Sequence, residues 1–156
     1  MLRRFLLIVP VFVSMVLPPA YSAPGDLDAT FNPPNGFVTY DTGDYVMGKA
    51  VAIQSDGKIL VVGDIENPSD WDVLVLRYNT DGSLDSGFGT DGVVTYDSGD
   101  DDRGWAVAIQ SDGKIIVMGS SSKGTDSDSL LIRLAGGDAT LPSSGGGGGG
   151  CCLSTL

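Results

Sequence analysis

Histidine is absent from the 156 residues, and cysteine is confined to the adjacent pair Cys151 and Cys152. The first absence removes the commonest general base and any imidazole metal ligand. The second means that no disulfide framework holds a fold built from the rest of the chain. A bond between the two neighbours would be strained, whereas in an oxidising compartment they could pair between chains. Glutamate is nearly absent too: Glu66 stands against a large excess of Asp. Asp favours turns and Glu favours helices, so this bias points to a loop-rich β protein. Basic residues are also scarce, nine against twenty acids. Two of the nine, Arg3 and Arg4, lie in a segment that reads as a leader.

That segment has a basic start, an apolar stretch from Phe5 to Leu17, then Pro18-Pro19 and the small-residue site Ala20-Tyr21-Ser22-Ala23. This is the layout of a secretory signal peptide, and cleavage after Ser22 puts Ala20 three residues from the cut. Cleavage after Ala23 is the second choice because it would put Tyr21 there. The apolar stretch is short for a membrane span of roughly 20 residues, so an uncleaved anchor is disfavoured. Without residues 1–22 the formal charge becomes −13, seven basic against twenty acidic residues. Such a balance argues against nucleic acid and anionic lipid as partners and suits the solubility of an exported protein.

What the chain does have is an internal repeat. The run Ala50-Val51-Ala52-Ile53-Gln54-Ser55-Asp56-Gly57-Lys58-Ile59-Leu60-Val61-Val62-Gly63 recurs from Ala106 to Gly119, 56 positions later. Each copy reads as two apolar strands joined at an Asp-Gly turn. The match extends upstream through Gly36-Phe37-Val38-Thr39-Tyr40 and Gly92-Val93-Val94-Thr95-Tyr96. Further upstream, Leu27-Asp28 and Phe31 correspond to Leu84-Asp85 and Phe88, with one residue inserted in Asn32–Asn35. Four strands are expected per unit: 37–40, 50–54, 58–63 and 72–78, then 93–96, 106–110, 114–119 and 129–134. Their Val, Ile, Leu and Tyr content and the lack of helical spacing define an all-β chain. The inner strands are almost continuously apolar, which predicts cover on both faces. Gly57 and Gly113 should sit in turns, and Gly63 and Gly119 at strand ends. Arg77 and Arg133 end the fourth strands and read as a repeated ion pair with a nearby Asp. After Leu134 come residues 135–156, with six consecutive glycines before Cys151, which read as a flexible tail.

The motifs Leu84-Asp85, Phe88-Gly89, Gly92, Ala106-Val107-Ala108, Gln110, Asp112-Gly113-Lys114-Ile115 and Gly119, with Arg77-Tyr78-Asn79-Thr80-Asp81-Gly82, resemble the delta-60 repeat of exported bacterial proteins. The resemblance covers residues 26–134 and implies β-propeller-like blades. The domain plan is then a signal peptide (1–22), repeat 1 (26–81), repeat 2 (82–134) and the tail (135–156). Asn32 departs from the family's Gly, and two units are fewer than the four to eight blades of a closed propeller. An open pair of sheets, a homo-oligomer that completes the ring, or a piece of something longer are the alternatives.

No catalytic, cofactor-binding or metal-ligating residue is singled out. The Asp97–Asp102 run is the densest acidic cluster and raises calcium, but its counterpart 41–46 keeps only two acids, Asn79-Thr80-Asp81-Gly82 lacks the spacing and terminal Glu of an EF-hand loop, and solvated turns are the simpler account. Trp71 and Trp105, with Tyr45 and Tyr96, could stack on sugars; blade packing is the plainer account. Paired carboxylates leave a carbohydrate hydrolase as an alternative. The expected role is a non-catalytic interaction module that meets a protein or glycan at the cell surface. Its variable loops would be Asp64–Trp71 and Ser120–Asp128, where the two copies diverge most.

Overall fold

A computed structural model describes residues 23–137. The expected signal peptide and most of the tail, including Cys151 and Cys152, lie outside the described residues. Among the described residues every regular element is a β-strand: β1 (Val46–Ile53), β2 (Ile59–Glu66), β3 (Trp71–Tyr78), β4 (Val93–Tyr96), β5 (Asp101–Ile109), β6 (Ile115–Lys123) and β7 (Asp126–Leu134). They form two antiparallel sheets, a four-stranded one in the order β1-β2-β3-β4 and a three-stranded one in the order β5-β6-β7. The all-β, two-sheet architecture expected from the repeat is therefore present. Among the described residues no helix is long and apolar enough to cross a membrane.

The Asp-Gly turns form as local chemistry dictates. Gly57 and Gly113 take φ of 86° and 81°. In each turn the Gln N–H bonds the Lys carbonyl, Gln54 to Lys58 at 2.9 Å and Gln110 to Lys114 at 2.8 Å. Alternation then sorts side chains between faces. Leu60, Val62, Val73 and Val75 from the first sheet meet Ile115 and Val117 from the second, with Phe88 of the linker, in one buried cluster. Full burial of such a side chain contributes roughly 1.5–3 kcal/mol, so this inter-sheet layer is the main stabilising element.

Several expectations are corrected. The sheets are out of phase with the sequence repeat: Val93–Tyr96, which opens the second copy, pairs with β3 and completes the first sheet. The second sheet therefore has three strands, not four, and residues 135–156 hold no third copy of that strand. The counterpart segment 37–40 is not a strand, because no equivalent of β3 precedes it among the described residues to supply a pairing edge. Instead Val38 and Tyr40 lie on the outer face of the first sheet, against the cluster of Leu74, Leu76 and Tyr78. Cover on both faces thus holds for β2 and β3 but not for the second sheet, where Met118 and Leu131 are exposed.

Gly63 and Gly119 are interior to β2 and β6, not at their ends. Each faces a β-bulge, between Gly48 and Ala50 and between Gly104 and Ala106. A Cβ on Gly63 would lie 1.8 Å from the Met47 carbonyl oxygen, and one on Gly119 would lie 2.1 Å from that of Arg103. The repeated glycine thus answers to close backbone approach at a bulge. The variable loops also shrink. Pairing continues to Glu66↔Trp71 and Lys123↔Asp126, which leaves 67–70 and 124–125 as turns. Finally, the tail expected from 135 begins as packed chain, since Gly136 is buried.

Candidate functional site

Three constellations on this scaffold bear on function. The first joins the sheets. Arg77, at the end of β3, is 2% exposed. Its Nε donates to Asp85 Oδ2 at 2.7 Å, its Nη1 donates to the Gly136 carbonyl, and its guanidinium lies 4.5 Å from the centre of the Phe88 ring. Burial pushes the Asp85 carboxyl up, but the Gly87 N–H, Arg77 and Lys58 outweigh it and hold its pKa below the ordinary value. The expected Arg–Asp pair therefore exists in the first unit. Arg133, its repeat counterpart, is exposed and has no ion-pair partner among the described residues.

The second constellation lies where the bulges place side chains between the sheets. Asp64 is fully buried. It accepts from the Gly104 N–H at 2.9 Å, is paired with Lys49, and lies 3.7 Å from Arg103 Nη1. The Lys49 ammonium sits over the Trp105 ring and the Arg103 guanidinium over the Trp71 ring, at 3.6 and 4.4 Å. Tyr45 meets Trp71 edge-on. Of the aromatics singled out as sugar-stacking candidates, Trp71 and Trp105 thus have a ring face covered by a cation within the protein, whereas Tyr45 and Tyr96 are exposed without such cover among the described residues, and Trp105 itself remains about half exposed. Nothing in the local sequence marks Asp64 as buried; only the β2–β5 packing does.

The third constellation is acidic. The Asp97–Asp102 run does not act as one solvated turn. Asp101 accepts from the Trp71 N–H and Asp100 lies 3.6 Å from Lys123. Asp102 is fully buried, accepting from the Ser98 N–H at 2.6 Å. Asp97 instead joins Asp70 and Asp72 from the β2–β3 hairpin, one carboxylate oxygen of each lying within 4.8 Å of the others. Asp72 is 9% exposed, and its Oδ1 has no hydrogen-bond partner. Burial raises the Asp72 pKa; the Asn67 amide opposes this, and Asp97, Asp70 and Asp102 add to it.

The repeat itself decides how the chain compares with known proteins. Two stretches, 54–88 and 110–140, match a family model described as a β-propeller domain of unknown function (DUF5122). Over these two stretches the chain is similar to a β-propeller family. The matched stretches begin 56 positions apart, the same offset as the internal repeat. No curated protein matches the chain. The first sheet uses Leu60, Val62 and Val75 toward the second. The same positions in the second sheet are Ile116, Met118 and Leu131, and the last two are 45% and 70% exposed.

Proposed function

We propose that the chain is an exported, non-catalytic interaction module of delta-60 type, working through the uncovered face and open edge of its β5-β6-β7 sheet. One observation carries this reading. Val62 and Val75 are buried against a neighbouring sheet in the first copy, whereas their counterparts Met118 and Leu131 are bare, leaving apolar surface beside an outer edge of β7 that is unpaired among the described residues. An exposed strand edge is a template for pairing with another chain. The leader-like residues 1–22 and the acidic balance support a location at the cell surface, where a protein or glycan would be the partner. A test is binding to a glycan array and to envelope proteins, with the wild type and a Leu131→Glu variant. Capture that disappears in a variant with unchanged circular dichroism supports the module; new reducing ends released from a glycan would favour a hydrolase instead.

A second reading, a calcium-binding extracellular module, is favoured by the unpartnered Oδ1 of Asp72 inside the Asp70–Asp72–Asp97 cluster. A buried carboxylate oxygen without a donor is costly, and a hard cation that takes oxygen ligands would relieve it. On this reading millimolar calcium raises the melting temperature by several degrees, as ligand linkage of 1 kcal/mol or more does for a domain of this size. The Asp72→Asn variant should lose that shift. An unchanged melting temperature in the wild type removes the reading.

A further inference from the structure

We infer that copies of this chain join head to tail, with the segment Phe37–Tyr40 of one copy adding as a fourth strand to the open edge of β7 in the next. The inference rests on the reading of the bare second sheet as an interaction surface, and it names the occupant as a second copy.

The in-chain junction between the two copies is the template. There β4 (Val93-Val94-Thr95-Tyr96) pairs with β3 through Val73↔Tyr96, Leu74↔Thr95, Val75↔Val94 and Leu76↔Val93. The segment Phe37-Val38-Thr39-Tyr40 differs from β4 only at its first residue, and it is unpaired. Its delivery is already built. Gly36 N–H bonds the Phe31 carbonyl and Phe31 N–H the Asp28 carbonyl, as Gly92 does to Phe88 and Phe88 to Asp85. A Cβ on Gly36 would meet Leu27 Cβ at 2.7 Å, and one on Gly92 would meet Leu84 Cβ at 2.9 Å. The two turns thus close through equivalent residues, the first around one extra residue. The position matches as well: Val94 packs into the cluster between the sheets, and Val38 packs on the repeat-equivalent outer face of the first sheet. The segment is thus held in place for a sheet edge that no other described segment provides.

The acceptor lacks the same things. Shifted by one repeat, the pairing becomes Ser129↔Tyr40, Leu130↔Thr39, Leu131↔Val38 and Ile132↔Phe37. All four acceptor residues lie on β7, whose outer edge has no partner strand among the described residues. The charges complete the match. Arg77 binds Asp85, whose Oδ1 accepts from the Gly87 N–H, two residues on. Asp28 has the same arrangement, its Oδ1 taken by the Thr30 N–H, but it is exposed and no Arg among the described residues reaches it. Arg133 is exposed, one repeat beyond Arg77. Docking in the shifted register brings Arg133 to Asp28 of the neighbouring copy. It also sets Met118 and Leu131 against that copy's outer face, where a cleft of about 290 Å³ is lined by Val46, Val61, Leu74, Leu76 and Tyr78 beside Val38 and Tyr40. The contact is heterologous, so it generates a ring where its rotation closes and a filament where it does not.

The test uses the full chain with Cys151→Ser and Cys152→Ser. One tagged preparation carries Leu131→Cys and a differently tagged one Val38→Cys; they are mixed and mildly oxidised. Directly opposed residues of an antiparallel pair have Cβ atoms about 4.5–5.5 Å apart, so a mixed disulfide between the two tags is expected, and likewise for Ile132→Cys with Phe37→Cys. The out-of-register pair Ile132→Cys with Val38→Cys should link several-fold less. Separately, light scattering should show Arg133→Asp and Asp28→Arg each weakening association about tenfold or more, with association restored when both changes are combined. A folded chain that stays monomeric at high micromolar concentration, or cross-links that ignore register, overturns the inference. If such a monomer still captures an envelope protein or glycan through Leu131, the broader interaction reading survives without it. Register-specific linking with no other partner captured upholds self-assembly and removes the foreign partner.

Discussion

Replacing Arg77 by Met keeps most of the side-chain volume and removes the charge that joins the sheets. The substitution leaves the Gly136 carbonyl without its guanidinium donor and Asp85 without its closest cation. Breaking a buried pair by removing one partner costs about 3–5 kcal/mol. Asp85 would retain the Gly87 N–H at 3.0 Å and Lys58 at 3.4 Å, so the expected loss is at the lower end, about 3 kcal/mol. Urea unfolding followed by tryptophan fluorescence reads it directly. Arg133→Met is the matched control; measured at a concentration low enough to exclude association, it should change stability by less than about 0.5 kcal/mol. The pH arm has a definite sign. The folded-state pKa of Asp85 is depressed, so its contribution is present above the unfolded carboxylate value of about 3.9. It is lost as pH falls through the lower folded value. The stability gap between wild type and Arg77→Met should therefore be full at neutral pH and narrow under strong acid. Equal stability of the two proteins at neutral pH would refute the account of the junction.

The bulge glycines and the inter-sheet core give further checks by urea or thermal unfolding. Gly63→Ala forces a Cβ onto the Met47 carbonyl and should cost about 3 kcal/mol or more. Gly113→Ala has open space but a φ of 81°, so a cost of about 1–2 kcal/mol is expected. The reverse order would contradict the bulge assignment. Val62→Ala, at a fully buried position, should cost about 2 kcal/mol, and Val51→Ala, at a 67% exposed one, less than about 0.5 kcal/mol. If the leader is processed as its small-residue site suggests, mass spectrometry of the protein expressed with residues 1–22 should find a chain beginning at Ala23.

Much of the plan is written locally. The two Asp-Gly turns need a residue with positive φ between β-forming runs, and Gly57 and Gly113 supply it, so both hairpins are visible from residue types alone. The 56-residue offset likewise made the two-sheet architecture legible, because copies of one sequence build copies of one unit. The acidic site was less legible. Asp97 was visible as part of a dense run, but Asp70 and Asp72 reach it only through the β3–β4 pairing, and the burial of Asp64 depends on how closely β5 approaches β2.

The segments 37–40 and 93–96 show where local information stops. They are almost the same sequence behind turns closed by equivalent residues, yet one is a strand and the other is not. A strand exists only when another edge satisfies its backbone groups, and that edge lies elsewhere in the chain. The same limit explains Gly63 and Gly119. Their sequence context reads as a strand end, whereas the facing bulge, a property of two paired strands, requires glycine in mid-strand. The sequence by itself therefore determined the hairpins, the repeat and the apolar faces. Only the tertiary structure decided which edges and faces find partners, because pairing and burial are relations between distant segments.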